Sequence, residues 1–346
     1  MSTVTPQKPW AVSKTDRVQR IAIFFASALL SYLMVATTAT KGKLAYIAFF
    51  AIFYSLASGI LGWLKFGRRA AADALIQTVI SLLTFITLMP IASILATVIT
   101  KGFPGLSFNL LKTDMSLNAP TDPINVGGLL HAITGTFILV GIALILSVPL
   151  GILTALYITE IKGRFTKPIK FLVQAMSGVP SIVAGLFILS AILYPITKAY
   201  SGFMGSLALT ILMIPTIART SEEVLKLIPN DLREAGVALG GTQWRTVAMI
   251  VLPAARSGLM TAMILGVARI AGETAPLLLL TGGGDKVNPN PFKDPMGSLP
   301  YYIWKSFNAG SPEAITRAWA GLLVLVGLVL ILFTSARYLG SRKGAK

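Results

Sequence analysis

The chain has 346 residues, 54% of them apolar and 12% charged, with a mean hydropathy of +0.75. A soluble domain carries about 25% charged residues, so this composition excludes an ordinary soluble globule and a disordered chain alike. Thirty Lys and Arg against 13 Asp and Glu give a net charge of +17. In so apolar a chain that excess reads as membrane loops held on one side, in contact with lipid, with no nucleic-acid partner. Cysteine is absent, which excludes disulfides, zinc–thiolate sites and iron–sulfur ligation, and the single histidine, His131, makes a histidine-centred metal site improbable.

A helix needs about 20 mostly apolar residues to cross a bilayer. In chain order, the predicted spans are 21–38, 44–64, 75–99, 133–158, 171–194, 204–218, 257–280 and 318–336. The expected fold class is therefore all-α, a polytopic transmembrane bundle of about eight spans. Residues 1–20 are polar and no cleavage-site pattern follows the first apolar run, so no cleavable signal peptide is expected. The basic stretch from Lys65 to Arg69 sets off 1–70, a polar tail plus a two-helix hairpin, from a larger region at 71–340. The sixth span is short and must extend at one end or pack within the bundle. The fifth, with Gly178, Pro180 and Gly185, reads as one kinked helix. Placing both termini in the cytoplasm puts 20 Lys and Arg inside and nine outside, which is the sense of the positive-inside bias. The long external loops, 100–132 and 281–317, either meet an outside partner or cap the helices. His131, at the outer end of span four, reads as an interfacial residue.

The segment 228–253 between spans six and seven is the most informative. Asp231 and Glu234 are spaced as in a capping box, predicting a helix from about Asp231 to Leu239, stopped by Gly240 and Gly241. Thr242 is placed to cap a second helix leading toward Pro253. A short rigid helix outside the bilayer can pass force to a soluble partner, which a slack loop cannot. An ordinary amphipathic connector fits the same pattern.

Two arginines are out of place in apolar surroundings. Arg269 and Glu273 stand four residues apart within span seven, on one face of a continuous helix. An arginine at mid-bilayer costs about 2.5–3.5 kcal/mol, so it must face a bundle interior, a partner or water. Arg219 lies near the inner end of span six, followed by Thr220 and Ser221. Guanidinium groups and hydroxyls suit an oxyanion, although a structural ion pair for Arg269 and a positive-inside anchor for Arg219 are the plainer readings.

These residues carry a resemblance. Glu234-Ala235-Gly236, three residues, Gly240, nine residues and Ile250-x-Leu252-Pro253 resemble the coupling loop of bacterial ABC importer permeases. Together with Gly178 to Phe187, Arg219 to Leu225 and Ala268 to Leu278, they are similar to the PstA-type permeases of phosphate ABC importers. The resemblance implies a six-span core, to which 1–70 is an addition. It implies a subunit that is not itself an enzyme. Its implied partners are two copies of an ATP-binding subunit, a second PstC-type permease and an external phosphate-binding protein. It implies that Arg219, Thr220, Arg269 and Glu273 border the phosphate path, and that Glu234, Ala235, Gly236, Leu239 and Gly240 dock the ATPase. An ion-coupled secondary anion transporter, or an ABC permease for another oxyanion, are the alternatives. The glycine run 282–284 lacks the Lys-Ser/Thr and helix of a phosphate loop, so no cofactor is expected on this chain, and ATP and Mg would be used by the partner.

Overall fold

The computed structural model describes residues 14–38 and 42–342. The positive charges expected at Lys8, Lys41, Lys343 and Lys346 lie outside the described residues. Among the described residues all regular structure is helical, apart from an isolated bridge between Gly282 and Met296. Seven helices of the described residues are long and apolar enough to cross a membrane, or up to eight if one sharply bent pair makes a single crossing. The polytopic all-α class is therefore the observed one.

The chain divides into two compact units, Met1–Ala96 and Thr97–Lys346. In the first, α1 (Lys14–Thr37) and α2 (Lys43–Phe66) form a hairpin, with Phe24 edge-on to Phe50 at 5.1 Å. The helix α3 (Arg68–Gly102) starts in this unit, and its Thr78 hydroxyl lies 3.2 Å from that of Ser58. Most of the apolar side chains of α3 are exposed, as befits a surface whose solvent is lipid.

In the second unit α5 (Leu130–Leu156) continues through a π-helical turn at Tyr157–Ile161. Its main partner is α8 (Gly202–Lys226). Lipid gives no hydrophobic drive for helix association, so close approach at small residues does the work. A Cβ on Gly151 would stand 2.7 Å from Ile217, and one on Gly266 of α11 (Leu252–Ile270) 2.9 Å from Met213. The core between these helices contains Leu139, Leu209, Leu212 and Ile270.

The sixth span meets its expectation and spans five and seven differ from theirs. The sixth extends at its far end, to Lys226. The fifth is two pieces, α6 (Thr166–Ser177) and α7 (Ser181–Ile188, continued as a π-helix to Thr197), bent by 105°. Pro180 cannot donate a backbone hydrogen bond and biases the preceding residue away from helix, so Gly178–Pro180 is a break where a kink was expected. The seventh starts early, at α10 (Gln243–Thr246), runs through a π-helical turn at Val247–Val251 into α11, and stops at Ile270. A turn at 271–274 precedes α12 (Ala275–Leu280). Pro276 would clash with the carbonyl of residue 272 in a continuous helix.

At the end of the bundle away from residues 230–240, the two long loops, α4 (Phe108–Lys112), α13 (Leu299–Ala309) and the start of α14 (Pro312–Arg342) interlock. Met115 N–H donates to the Asp285 carbonyl at 3.1 Å and Val287 N–H to the Asp114 carboxylate at 3.1 Å. Burial pushes the Asp114 carboxyl up, but bonds from the Ser116 hydroxyl and the Val287 and Ser116 amides outweigh it and hold the group below the usual carboxylate range. Arg317, fully buried, donates to the carbonyls of Pro120, Asp122, Pro123 and Val126 at 2.7–3.0 Å. His131 is buried under this cap, edge-on to Tyr302, where an interfacial position was expected.

Candidate functional site

The segment 228–253 folds as helix, glycine turn, helix. Its first helix, α9, spans Asn230–Ala238. Pro229 occupies the N-cap and no side chain caps it, so the expected capping box of Asp231 and Glu234 does not form. Gly240, at φ +80°, makes the turn, and Thr242 caps the next helix as expected, accepting from Arg245 N–H at 3.3 Å. Apart from half-buried Arg233, nearly all of α9 is exposed, including Glu234 and Ala235, as is Leu239 just past it, at 88%. The exception is Gly236, buried where a Cβ would stand 2.6 Å from Thr246 and 2.9 Å from Ile250. A groove of about 660 Å³ beside the helix is lined by Glu160, Arg233, Glu234, Val237, Gln243 and Thr246.

Arg233 ties this helix to the bundle. Its Nε and Nη2 grip the Glu160 carboxylate at 2.9 and 2.7 Å. Nη2 also donates to the Leu225 carbonyl at 2.9 Å, and Nη1 to the Ile228 carbonyl at 2.6 Å and Asn230 Oδ1 at 3.4 Å. The Leu225 carbonyl is in the last turn of α8, where it also accepts from Ile228 N–H at 3.3 Å because Pro229 has no N–H to offer, and the Ile228 carbonyl lies just past the helix. Gln243, at the start of α10, donates to the Glu160 carbonyl at 2.6 Å. The ends of α5, α8 and α10 thus meet α9 at one ion pair, in which Glu160 is only 6% exposed. The hydrogen-bonded carboxylate raises the Arg233 pKa further above its ordinary value, so the group stays charged.

The intramembrane charges lie deeper. Arg269 is the penultimate residue of α11 and Glu273 lies in the turn after it. They do not share a continuous helix, yet Arg269 Nη1 still pairs with Glu273 Oε1 across the break. The arginine side chain is 46% exposed and the glutamate 12%. The helix α7 packs on α12 just beyond, with Gly185 against Pro276. The interruptions of spans five and seven therefore lie close together, and interrupted helices are how membrane transporters present ion-binding groups at depth. Arg219 is exposed on α8, without an ion pair among the described residues; Thr220 is half-buried, and the Ser221 hydroxyl is buried with no hydrogen-bond partner among them. Gly266 faces Met213 and Ile217 while Gly258 faces Val224, so α8 and α11 are antiparallel. At 1.5 Å per residue the two arginines are about 10 Å apart along the helix axes. The two arginines therefore do not form one cluster.

Residues 147–344 match the family described as binding-protein-dependent transport system inner membrane component. The phosphate transport system permease protein PstA 1 of Mycobacterium tuberculosis is 35% identical over 280 residues, covering 80% of this chain and 92% of that protein. The chain belongs to this permease family. PstA of Pasteurella multocida is 38% identical over 275 residues, 79% of this chain and 95% of that protein. The inward-facing MetNI methionine ABC transporter overlays with a TM-score of 0.47 at 19% identity, over 62% of this chain and 92% of that one. As a family member the chain is a membrane-embedded permease and not an enzyme, and membership implies a separate ATP-binding subunit. Of the permease's features, the sequence reading missed the Glu160–Arg233 joint. The one signal available was the acidic Glu160 at the end of an apolar span, beside Lys162 and Arg164.

Proposed function

We propose that this permease carries inorganic phosphate inward, as half of a pathway completed by a second, PstC-type permease. Two copies of an ATP-binding subunit, which use the ATP and Mg, sit beneath it, and an external phosphate-binding protein delivers the ion. The domain at 71–340 is the permease proper, with its coupling loop at 228–253, and 1–70 is an added tail and hairpin. The α9 end is cytoplasmic, with both termini on that side of the cell membrane.

The observation that carries this reading is Arg269, paired with Glu273 at a break in an apolar span and half-exposed. A charge so expensive in lipid is retained where an anion must pass. Phosphate displaces the Glu273 carboxylate from Arg269, and Glu273 reclaims the guanidinium when phosphate leaves. Arg219 and Thr220 offer a second stop about 10 Å nearer the cytoplasm by helix rise. Below, Glu234, Ala235, Gly236, Leu239 and Gly240 form the docking surface for the ATPase. Movement of α9 then reaches α5 and α8 through Arg233.

The test is phosphate uptake into proteoliposomes containing the complete complex. Charge-assisted hydrogen bonds are worth about 1.5–3 kcal/mol, so Arg269→Ala should lower uptake roughly 10- to 150-fold. Glu273→Gln should impair uptake while leaving assembly intact. Uptake unchanged in Arg269→Ala overturns the reading.

A further inference from the structure

A second cavity lies on the other side of the joint. It has a volume of about 260 Å³ and is lined by Lys162, Lys170, Glu222, Lys226, Asn230 and Arg233, at the ends of α5 and α8 and the starts of α6 and α9. Its hydrogen-bonding inventory is lopsided. Glu222 Oε1 accepts from Lys170 at 2.9 Å and Lys226 at 3.0 Å, and Lys226 also reaches Glu223 at 2.9 Å. The five donors of Arg233 are engaged elsewhere. An ammonium carries three donors and no acceptor. Lys162 has no partner for its ammonium group among the described residues, and its main chain is pinned in a left-handed conformation at φ 51° by a 3.0 Å bond to the Tyr157 carbonyl. Lys170 and Lys226 hold donors in reserve, as does the Asn230 amide nitrogen. Against these stand one unshared carboxylate oxygen, Oε2 of Glu222, and the hydroxyl oxygen of Thr159, which also lines the cavity and gives its proton to the Ala155 carbonyl at 2.9 Å.

A hollow with spare donors from four side chains, three of them cationic, and fewer spare acceptors is built for an anion rich in acceptor oxygens. We propose that this cavity binds a phosphate-bearing anion. The inference rests on the orientation proposed above, which puts this end in the cytoplasm. Two sources then offer the group: the headgroup of an anionic phospholipid in the inner leaflet, and inorganic phosphate in the cytosol. Basic pockets between helices on that side suit headgroups. The occupant bridges Lys162 on α5, Lys170 on α6 and Lys226 on α8, beside the joint that carries α9. Its presence therefore stiffens the connection through which the coupling helix acts.

The experiment uses the full-length chain in its complex, in nanodiscs. One arm adds phosphatidylglycerol to a phosphatidylcholine disc and counts retained lipid by native mass spectrometry. The other measures labelled inorganic phosphate bound in phosphatidylcholine discs by equilibrium dialysis. The variant is Lys162→Asn with Lys170→Gln, since asparagine tolerates the left-handed backbone and Lys226 still neutralises Glu222. Each lysine removed should weaken binding roughly fivefold. The ligand that the variant loses is the source, and a loss in either arm supports the site. Should the double variant fail to fold, Lys162→Glu, which breaks no ion pair of the described residues, is measured in its place. Retention of both ligands at the native level overturns the proposal, as does an equal loss in Lys167→Gln, an exposed charge outside the cavity. Phosphate uptake is followed in parallel: a native uptake rate with unaltered binding sinks the cavity alone, whereas altered binding in a complex that transports another ion sinks only the transport reading.

Discussion

A guanidinium offers five N–H donors in a fixed fork, and at Arg233 all five are used: two on Glu160, two on carbonyls at the end of α8 and one on Asn230. Lysine at this position would keep the charge and lose the fork. It would reach Glu160 or the carbonyls, but not both, and three helix ends would no longer move as one body. Arg233→Lys is therefore expected to leave ATP hydrolysis running while the phosphate moved per ATP falls, measured together in proteoliposomes. Breaking a buried pair by deleting one partner costs about 3–5 kcal/mol, so Arg233→Ala should also lower the thermal midpoint, a change that Arg233→Lys largely avoids. A stoichiometry unchanged in Arg233→Lys would make the joint a structural brace alone. Arg317 uses the same chemistry at the other end of the bundle, satisfying four loop carbonyls with one buried cation. In the sequence both arginines look like ordinary charges between spans, because nothing in a linear pattern marks which guanidinium will meet a carboxylate 73 positions away or carbonyls 191–197 positions away.

The coupling loop contains two glycines of different physical meaning. Gly240 sits at φ +80° with open space around it, so its requirement is backbone conformation. Gly236 is in ordinary helix but faces Thr246 and Ile250 at distances a Cβ cannot tolerate, so its requirement is contact. Asparagine tolerates left-handed backbone, and overpacking costs about 1–3 kcal/mol. Gly240→Asn should accordingly keep the ATP-binding subunit bound during purification, whereas Gly236→Val should tilt α9 off its seat and release it. Equal retention in both variants would separate docking from this packing. The helix–turn–helix was legible from the sequence because its signals are local: glycines that end one helix and a threonine that caps the next. The breaks in spans five and seven were only half legible. Gly178, Pro180, Gly272 and Pro276 mark weak points, but whether a helix kinks or stops depends on what packs there, and here α7 and α12 pack on each other at Gly185 and Pro276. The Arg269–Glu273 pairing was foreseen from helical spacing and is present although the helix it presumed ends at Ile270, since a turn of four residues spans about the same distance.

At the scale of the whole molecule, the chemistry is concentrated in one compact unit. Glu160, Arg219, Arg233, Gly236, Arg269 and Glu273 all fall within Thr97–Lys346 and within the family match at 147–344. The unit Met1–Ala96 contributes none of them; its internal contacts are aromatic pairs such as Phe24–Phe50 and Phe50–Tyr54 and the Ser58–Thr78 hydroxyl pair. The cap is likewise closed by residues after Thr97, from Asp114 to Arg317. A chain lacking residues 1–66 retains α3, with its own apolar length sufficient to span a bilayer. It is expected to insert, to bind the ATP-binding subunit and to keep most of the uptake of the full chain, with the same loss on Arg269→Ala. The informative comparison is between assembly and transport in that truncated complex. If it assembles, hydrolyses ATP and moves no phosphate, the hairpin is a working part of the pathway, and the pathway is not confined to the unit that holds the arginines.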